Sequence, residues 1–218
     1  MESSDDASPL ANGKLLTYAE AKAFLAAKGF AKLKWLPSDC PEGVLLVAGP
    51  LRLESLRLDD SHLEVNGVIV DGDLEVALLE NGEQDFGPFL VVAGSCKAHN
   101  VAIAGAPVEI RGNLTVTGTF HGYYNHGITH VRGDVHAQLL IADDYSFSFD
   151  GTASGTFLTE SGYVKGKLPE TQPDVRQIID AAFLDIEDEA DGEDVRVSFK
   201  SQDIYERLVA GGSILRAA

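Results

Sequence analysis

Basic residues are scarce in this chain: 17 Lys and Arg stand against 34 Asp and Glu, a formal net charge of −17. That balance argues against nucleic acid as a direct partner, because phosphate contacts need clustered cations. It suits a basic protein partner, or simple solubility. Cysteine is nearly absent, with only Cys40 and Cys96, so no disulfide framework is expected and a reducing compartment fits. No apolar run reaches the roughly 18 residues of a membrane span. The opening Met1-Glu2-Ser3-Ser4-Asp5-Asp6 lacks a basic n-region and an apolar h-region, so no secretory leader is expected. The expectation is a soluble, cytoplasmic protein.

Catalytic signatures are missing as well. There is no nucleophile elbow, Walker loop, dinucleotide fingerprint or zinc-protease helix. Neither enzyme chemistry nor a cofactor is expected. Four histidines, His121, His126, His130 and His136, fall in a short window, yet their spacing matches no standard metal motif. No metal site is assigned to them. Asp143-Asp144 with Glu160 could pair as acid and base, but adjacent extended residues face opposite ways, which favours a turn or solvated edge.

What the chain does have is a repeat. A glycine flanked by alternating apolar residues recurs as Val47-x-Gly49-x-Leu51-x-Leu53, Val70-x-Gly72-x-Leu74-x-Val76 and Val92-x-Gly94-x-Cys96-x-Ala98. It continues as Ile110-x-Gly112-x-Leu114-x-Val116 and Val131-x-Gly133-x-Val135-x-Ala137. The glycines are 23, 22, 18 and 21 residues apart. A period near twenty with alternating apolar residues predicts stacked strands that enclose a continuous interior. The fold class is therefore mainly β: a single-stranded parallel β-helix with coils of about 18–23 residues, an N-terminal helix and a C-terminal α/β capping segment.

The domain reading follows. Residues 1–15 form a flexible tail, 16–43 an N-terminal helix and cap, 44–165 the solenoid, and 166–218 a C-terminal helical segment. Thr17 with Glu20 makes a capping box for a helix over Tyr18–Lys28 ending at Gly29. Phe30, Leu33 and Trp35 are expected over the open end of the solenoid. Pro169 and Pro173 mark a linker, followed by an amphipathic helix over Asp174–Glu189, a strand over Val195–Phe199 and a last helix to about Ala210. The C-terminal pieces should cover one end or one side.

Coils of unequal length imply loops protruding at one corner, and these form the expected binding surface. The excursion Leu79–Pro88 carries Glu80, Glu83 and Asp85. A second, Gly118–Thr129, carries Tyr123, Tyr124, Asn125 and His126. With Asp143 and Asp144 these are the candidate partner-binding residues: tyrosine offers a rigid ring with a polar tip, and the carboxylates steer a basic partner. The alternative for the two rings is packing back onto the solenoid.

The coil pattern over roughly residues 45–160 resembles the bactofilins, polymer-forming β-helix proteins. It is more similar still to bactofilin-related bacterial solenoids carrying stretches such as Phe89-Leu90-Val91-Val92-x-Gly94 and Tyr124-Asn125-His126-Gly127. Some proteins of that sort look like immunity partners of polymorphic toxins. The resemblance implies an immunity protein that binds and occludes a cognate basic toxin, such as a nuclease, as monomer or small homo-oligomer. Two alternatives stay open: a bactofilin-like scaffold or filament subunit, and a β-helix enzyme with a histidine-containing site. The helix before the coils and the mixed segment after them depart from the bactofilin pattern.

Overall fold

The computed structural model of the chain describes residues 9–30, 33, 41–83, 87–124, 126–159, 163–169, 173–188 and 195–216. It is a parallel β-solenoid of about five turns. Each turn contributes one short and one long strand. The short strands are β2 (Val44–Ala48), β4 (Gly67–Asp71), β6 (Phe89–Val92), β8 (Pro107–Ile110), β10 (Ile128–Val131) and the first part of β12 (Ser146–Thr159). The long strands are β3 (Leu51–Arg57), β5 (Leu74–Asn81), β7 (Cys96–Ile103), β9 (Leu114–Gly122), β11 (Val135–Ala142) and the second part of β12. Short strands pair with short and long with long, all in parallel.

Register turns the sequence repeat into ladders. Val47, Val70, Val92, Ile110, Val131 and Phe149 stack in one row, and Leu51, Leu74, Cys96, Leu114, Val135 and Ala153 in the facing one. These rows, with Leu56, Leu79, Val101, Phe120, Leu140 and Phe157, form the solenoid interior. A register break between Ala98 and Val101, and again between Ala137 and Leu139, bends the long strands at mid-length. The two halves of each long strand thus present separate outer faces.

The recurrent glycines meet at the bend between short and long strands. Gly94 donates its amide to Gly72 at 2.9 Å, Gly112 to Gly94 at 2.8 Å and Gly133 to Gly112 at 3.1 Å. A Cβ on Gly133 would stand 2.6 Å from the Gly112 oxygen, so the stack has no room for a side chain. The next residue carries a second ladder. Asp73 Oδ1 accepts from Ser95 N (2.7 Å), Ser95 Oγ from Asn113 N (3.1 Å), Asn113 Oδ1 from Asp134 N (2.9 Å) and Asp134 Oδ1 from Thr152 N (2.7 Å). Each small polar side chain satisfies an amide that the turn leaves unpaired.

Both flanking segments lie along the sides of the solenoid. The helix α1 (Tyr18–Ala27) has its predicted capping box, with Thr17 and Glu20 bonded reciprocally. Its Ala21 and Leu25, with Phe30, pack on Ile69 and Val91, which point outward from the short-strand sheet. The expectation that Phe30 and Leu33 close the open end is thereby corrected, and Trp35 lies outside the described residues. Residues expected to be tail are ordered instead: Pro9–Asn12 forms a 3₁₀ turn, and β1 (Lys14–Leu16) pairs antiparallel with β2. That strand covers an edge that would otherwise be bare. A one-turn helix α2 (Asp60–Leu63) sits in the first connection after a long strand.

After β13 (Val164–Lys167), which pairs with β12, the chain crosses to the outer face of the second halves of the long strands. The expected helix over 174–189 does not form. In its place stand a single turn α3 (Val175–Ile178), a 3₁₀ turn at Ala181–Phe183 and β14 (Leu184–Asp188), paired antiparallel with β15 (Val195–Phe199). Acidic residues at a helix C-terminus oppose the dipole, and Leu184 and Ile186 alternate as a strand requires. Residues 189–194 lie outside the described residues. The last helix, α4 (Ser201–Val209), is where the sequence places it. Ile204, Leu208, Ile179 and Ile214 bury against Ala102, Leu139, Ile141 and Leu158, each large aliphatic side chain contributing about 1.5–3 kcal/mol.

Candidate functional site

The connections from long strands to the next short strands lie on one corner of the solenoid, and their described residues are 58–66, 82–83 with 87–88, 104–106, 123–124 with 126–127, and 143–145. Backbone bonds join successive ones: Ala104 N to Asn81 O (3.0 Å), Gly105 N to Glu83 O (3.0 Å), Tyr123 N to Ile103 O (3.2 Å) and Asp143 N to Gly122 O (2.8 Å). This is the corner at which unequal coil length places protruding loops, and the candidate binding residues among the described ones, Glu80, Glu83, Tyr123, Tyr124, His126, Asp143 and Asp144, fall on or beside it. The excursions are shorter than expected, since β5 continues to Asn81 and β9 to Gly122.

The side chains divide into two sets. Glu80, Tyr123 and Asp143 face inward along a seam with α4. Tyr205 of α4 donates to Glu80 Oε2 at 3.2 Å and lies 5.6 Å, ring to ring, from Tyr123. Ser201, the first residue of α4, donates to Asp143. Tyr123 also reaches Asn81 O (3.4 Å) and stacks on His121 at 4.9 Å. Burial holds the phenols of Tyr123 and Tyr205 above the ordinary tyrosine range, Tyr205 at about 12. For Tyr123 the packing alternative is what the structure shows. These groups bind the chain's own C-terminal segment.

The second set faces outward. Tyr124 and His126 meet edge to face at 5.2 Å, with His126 exposed. Asp144 is exposed in a left-handed turn conformation (φ 51°). Glu83 accepts from Asp60 N at 2.8 Å. Asn125 and Asp85, like Glu160, lie outside the described residues. Beside Glu83, sequence reasoning missed an open pocket of about 410 Å³ lined by Glu42, Asp60, Glu64, Val65 and Asn66. No Lys or Arg occurs in any of the five corner segments. That blank was readable in the sequence once the segments were known to be neighbours.

The four clustered histidines go to four environments. His121 is fully buried beneath the C-terminal segment, and neither ring nitrogen has a partner among the described residues. His126 is on the corner. His136 lies on the exposed outer face of β11, 2.9 Å from Ser154 Oγ. His130, on the outer face of the short strands, lies 3.2 Å from Glu109 Oε2 and 3.3 Å from Asp150 Oδ1. On the adjoining rung Ser148 donates to Thr129 O at 3.4 Å, so the His130 ring nitrogens face carboxylates and not a hydroxyl nucleophile. Among the described residues no group of three or more His, Cys, Asp or Glu could hold a metal ion.

Among the described residues nothing covers the outer face formed by the first halves of the long strands. It carries a shallow groove of about 470 Å³ with Arg52, Glu75 and Lys97 paired along it at 3.2 and 3.1 Å. These three charges are matched within the face. The corner, by contrast, carries carboxylates with no Lys or Arg in its segments, beside the Tyr124–His126 ring pair. Comparison with protein-family models, with curated proteins and with solved structures finds no match to this chain.

Proposed function

We propose that this chain is a non-catalytic interaction protein that docks a basic protein partner on the loop corner, as an immunity protein does when it occludes a cognate toxin. The observation that carries this reading is the corner itself. Asp60, Glu64, Glu83 and Asp144 line up along it with Tyr124 and His126 between, and no Lys or Arg interrupts them. A field of one sign accelerates and orients encounter with the opposite sign, while a rigid tyrosine supplies contact area at low entropic cost. The toxin identity rests on the bactofilin-related resemblance, and the partner's basic character rests on the charge.

The test is capture of partners from host lysate by wild-type protein and by a variant carrying Asp60→Lys and Glu64→Lys. A basic partner held at low salt, weakened at moderate salt and lost with the double variant supports the reading. Capture that ignores both salt and the reversals would sink it, provided circular dichroism shows the variant folded.

A scaffold role is the second reading, and one observation favours it. Among the described residues no strand pairs with the outer edge of Ala153–Leu158, in the last rung of the long-strand sheet. Sedimentation over a range of concentrations separates the two, since a filament subunit assembles as concentration rises.

A further inference from the structure

We infer that the C-terminal segment, residues 173–188 and 195–216, is an acid-releasable clasp on the solenoid, with His121 as the group that takes up the proton. This goes beyond the docking proposal and does not depend on it.

The placement of His121 is the starting point. Its outward row on the long strands reads Arg57, Glu80, Ala102, His121, Ile141 and Leu158. Its two neighbours, Ala102 and Ile141, belong to the same buried cluster as Ile204 and Leu208 of α4. His121 is 0% exposed between them, and both nitrogens lack a hydrogen-bond partner among the described residues. An unpaired buried polar group costs about 1–3 kcal/mol, so an aliphatic residue would hold this position better. What imidazole adds is titration near neutral pH.

The groups around it do not compensate a charge. Beside it on its own chain stretch lies Tyr123. From α4 come Tyr205, turned toward Glu80, and Asp203, Glu206 and Arg207 on exposed positions. Along the row, Glu80 is two rungs away, roughly 10 Å, and accepts from Tyr205. Arg57 is one rung further and paired with Asp59. Asp143 accepts from Ser201. Burial alone depresses the His121 imidazole, to about 3.

The clasp can move without the solenoid. Its apolar contacts form a cluster that shares no buried residue with the interior of the coils. It is tied down by the Tyr205–Glu80, Ser201–Asp143 and Asn100–Gly212 hydrogen bonds. Opening it would wet His121 and restore an ordinary imidazole, near 6.5. A depressed folded value means that closure is fully favoured above about 6.5 and weakens as pH falls toward 3. Between pH 7.5 and 4.5 the opening equilibrium should rise by about a hundredfold.

Hydrogen exchange of the full chain at these two pH values, corrected for intrinsic rates, tests this. The expected result is a roughly hundredfold loss of protection in α4, with Val68–Val70 of β4 still protected. In His121→Leu, and in His121→Gln should the first variant misfold, that loss should vanish. Equal loss in wild type and variants would assign the response to Glu80 and Asp143 and overturn the proposal. So would unchanged protection, or simultaneous loss throughout the solenoid.

Discussion

Gly112 lies directly on Gly94, its amide 2.8 Å from the Gly94 carbonyl. The coils touch backbone to backbone there, and this contact fixes where each short strand turns into its long one. Gly112→Ala would put a Cβ 2.8 Å from that same oxygen and crowd Ser95 Oγ. Both obstacles belong to ladders that other coils share, so neither yields cheaply. The substitution should destabilise the protein by about 1–3 kcal/mol. Urea denaturation followed by circular dichroism would show the shift, and an unmoved midpoint would mean the stack is looser than described.

Tyr205 is the polar anchor of the clasp. Its hydroxyl is a donor to a carboxylate that is 8% exposed, and hydrogen bonds to charged groups contribute about 1.5–3 kcal/mol. Tyr205→Phe should cost about that much, concentrated in α4 and not in the coils. The phenol is held at about 12, above its unfolded value, so its contribution is intact below pH 10 and fades as pH rises through 12. Alkaline titration by tyrosinate absorbance should show Tyr205 and Tyr123 ionising late, together with release of the segment.

Arg132 fixes the N-terminal helix to the far side. Its Nε lies 2.7 Å from Glu109 Oε1, its Nη1 donates to Gly29 O at 3.1 Å, and its guanidinium stands 4.9 Å over the Phe30 ring. Glu109 is 1% exposed, so losing its cation leaves a buried carboxylate with, among the described residues, only the His130 ring paired to it. Arg132→Ala should cost about 2–3 kcal/mol, less than for a fully buried pair because Arg132 itself is partly solvated. Arg132→Lys cannot make all three contacts and should recover only part. Thermal melting of the three proteins gives the order.

The solenoid was legible because its interior rows are local: two residues either side of a glycine suffice to call each coil. The asparagine, aspartate and serine ladder after the glycines was equally local, with Asp73, Ser95, Asn113 and Asp134 each following a repeat glycine. Apolar periodicity does not register it, because its members are small polar residues that alternate with nothing and differ from coil to coil. The clasp was not legible in the same way. Glu80 and Tyr205 are 125 positions apart, and nothing in either neighbourhood names the other. A carboxylate in an acidic excursion looks like a solvated charge until a helix is laid over it. Tyr123 and Asp143 misled for the same reason, whereas Tyr124 and Asp144, one residue on, point outward.

Cys96 gives a direct reading of how tightly the coils close. It is an inward rung between Leu74 and Leu114, and burial pushes its thiol up to about 12. The thiolate is the reactive form, so at neutral pH the native protein should leave Cys96 unmodified by an alkylating reagent. Peptide mass mapping isolates its label from that on Cys40. The rate at Cys96 should follow global unfolding, rising steeply with urea and falling silent with Cys96→Val, a near-isosteric change worth under about 1.5 kcal/mol. Acid release of the clasp should leave Cys96 as protected as before, its rate taken relative to a free thiol at the same pH, because the clasp packs on a cluster that shares no buried residue with the one holding Cys96. Labelling of Cys96 at pH 4.5 without urea would mean that the coils open together with the segment, and that the two layers are one cooperative unit.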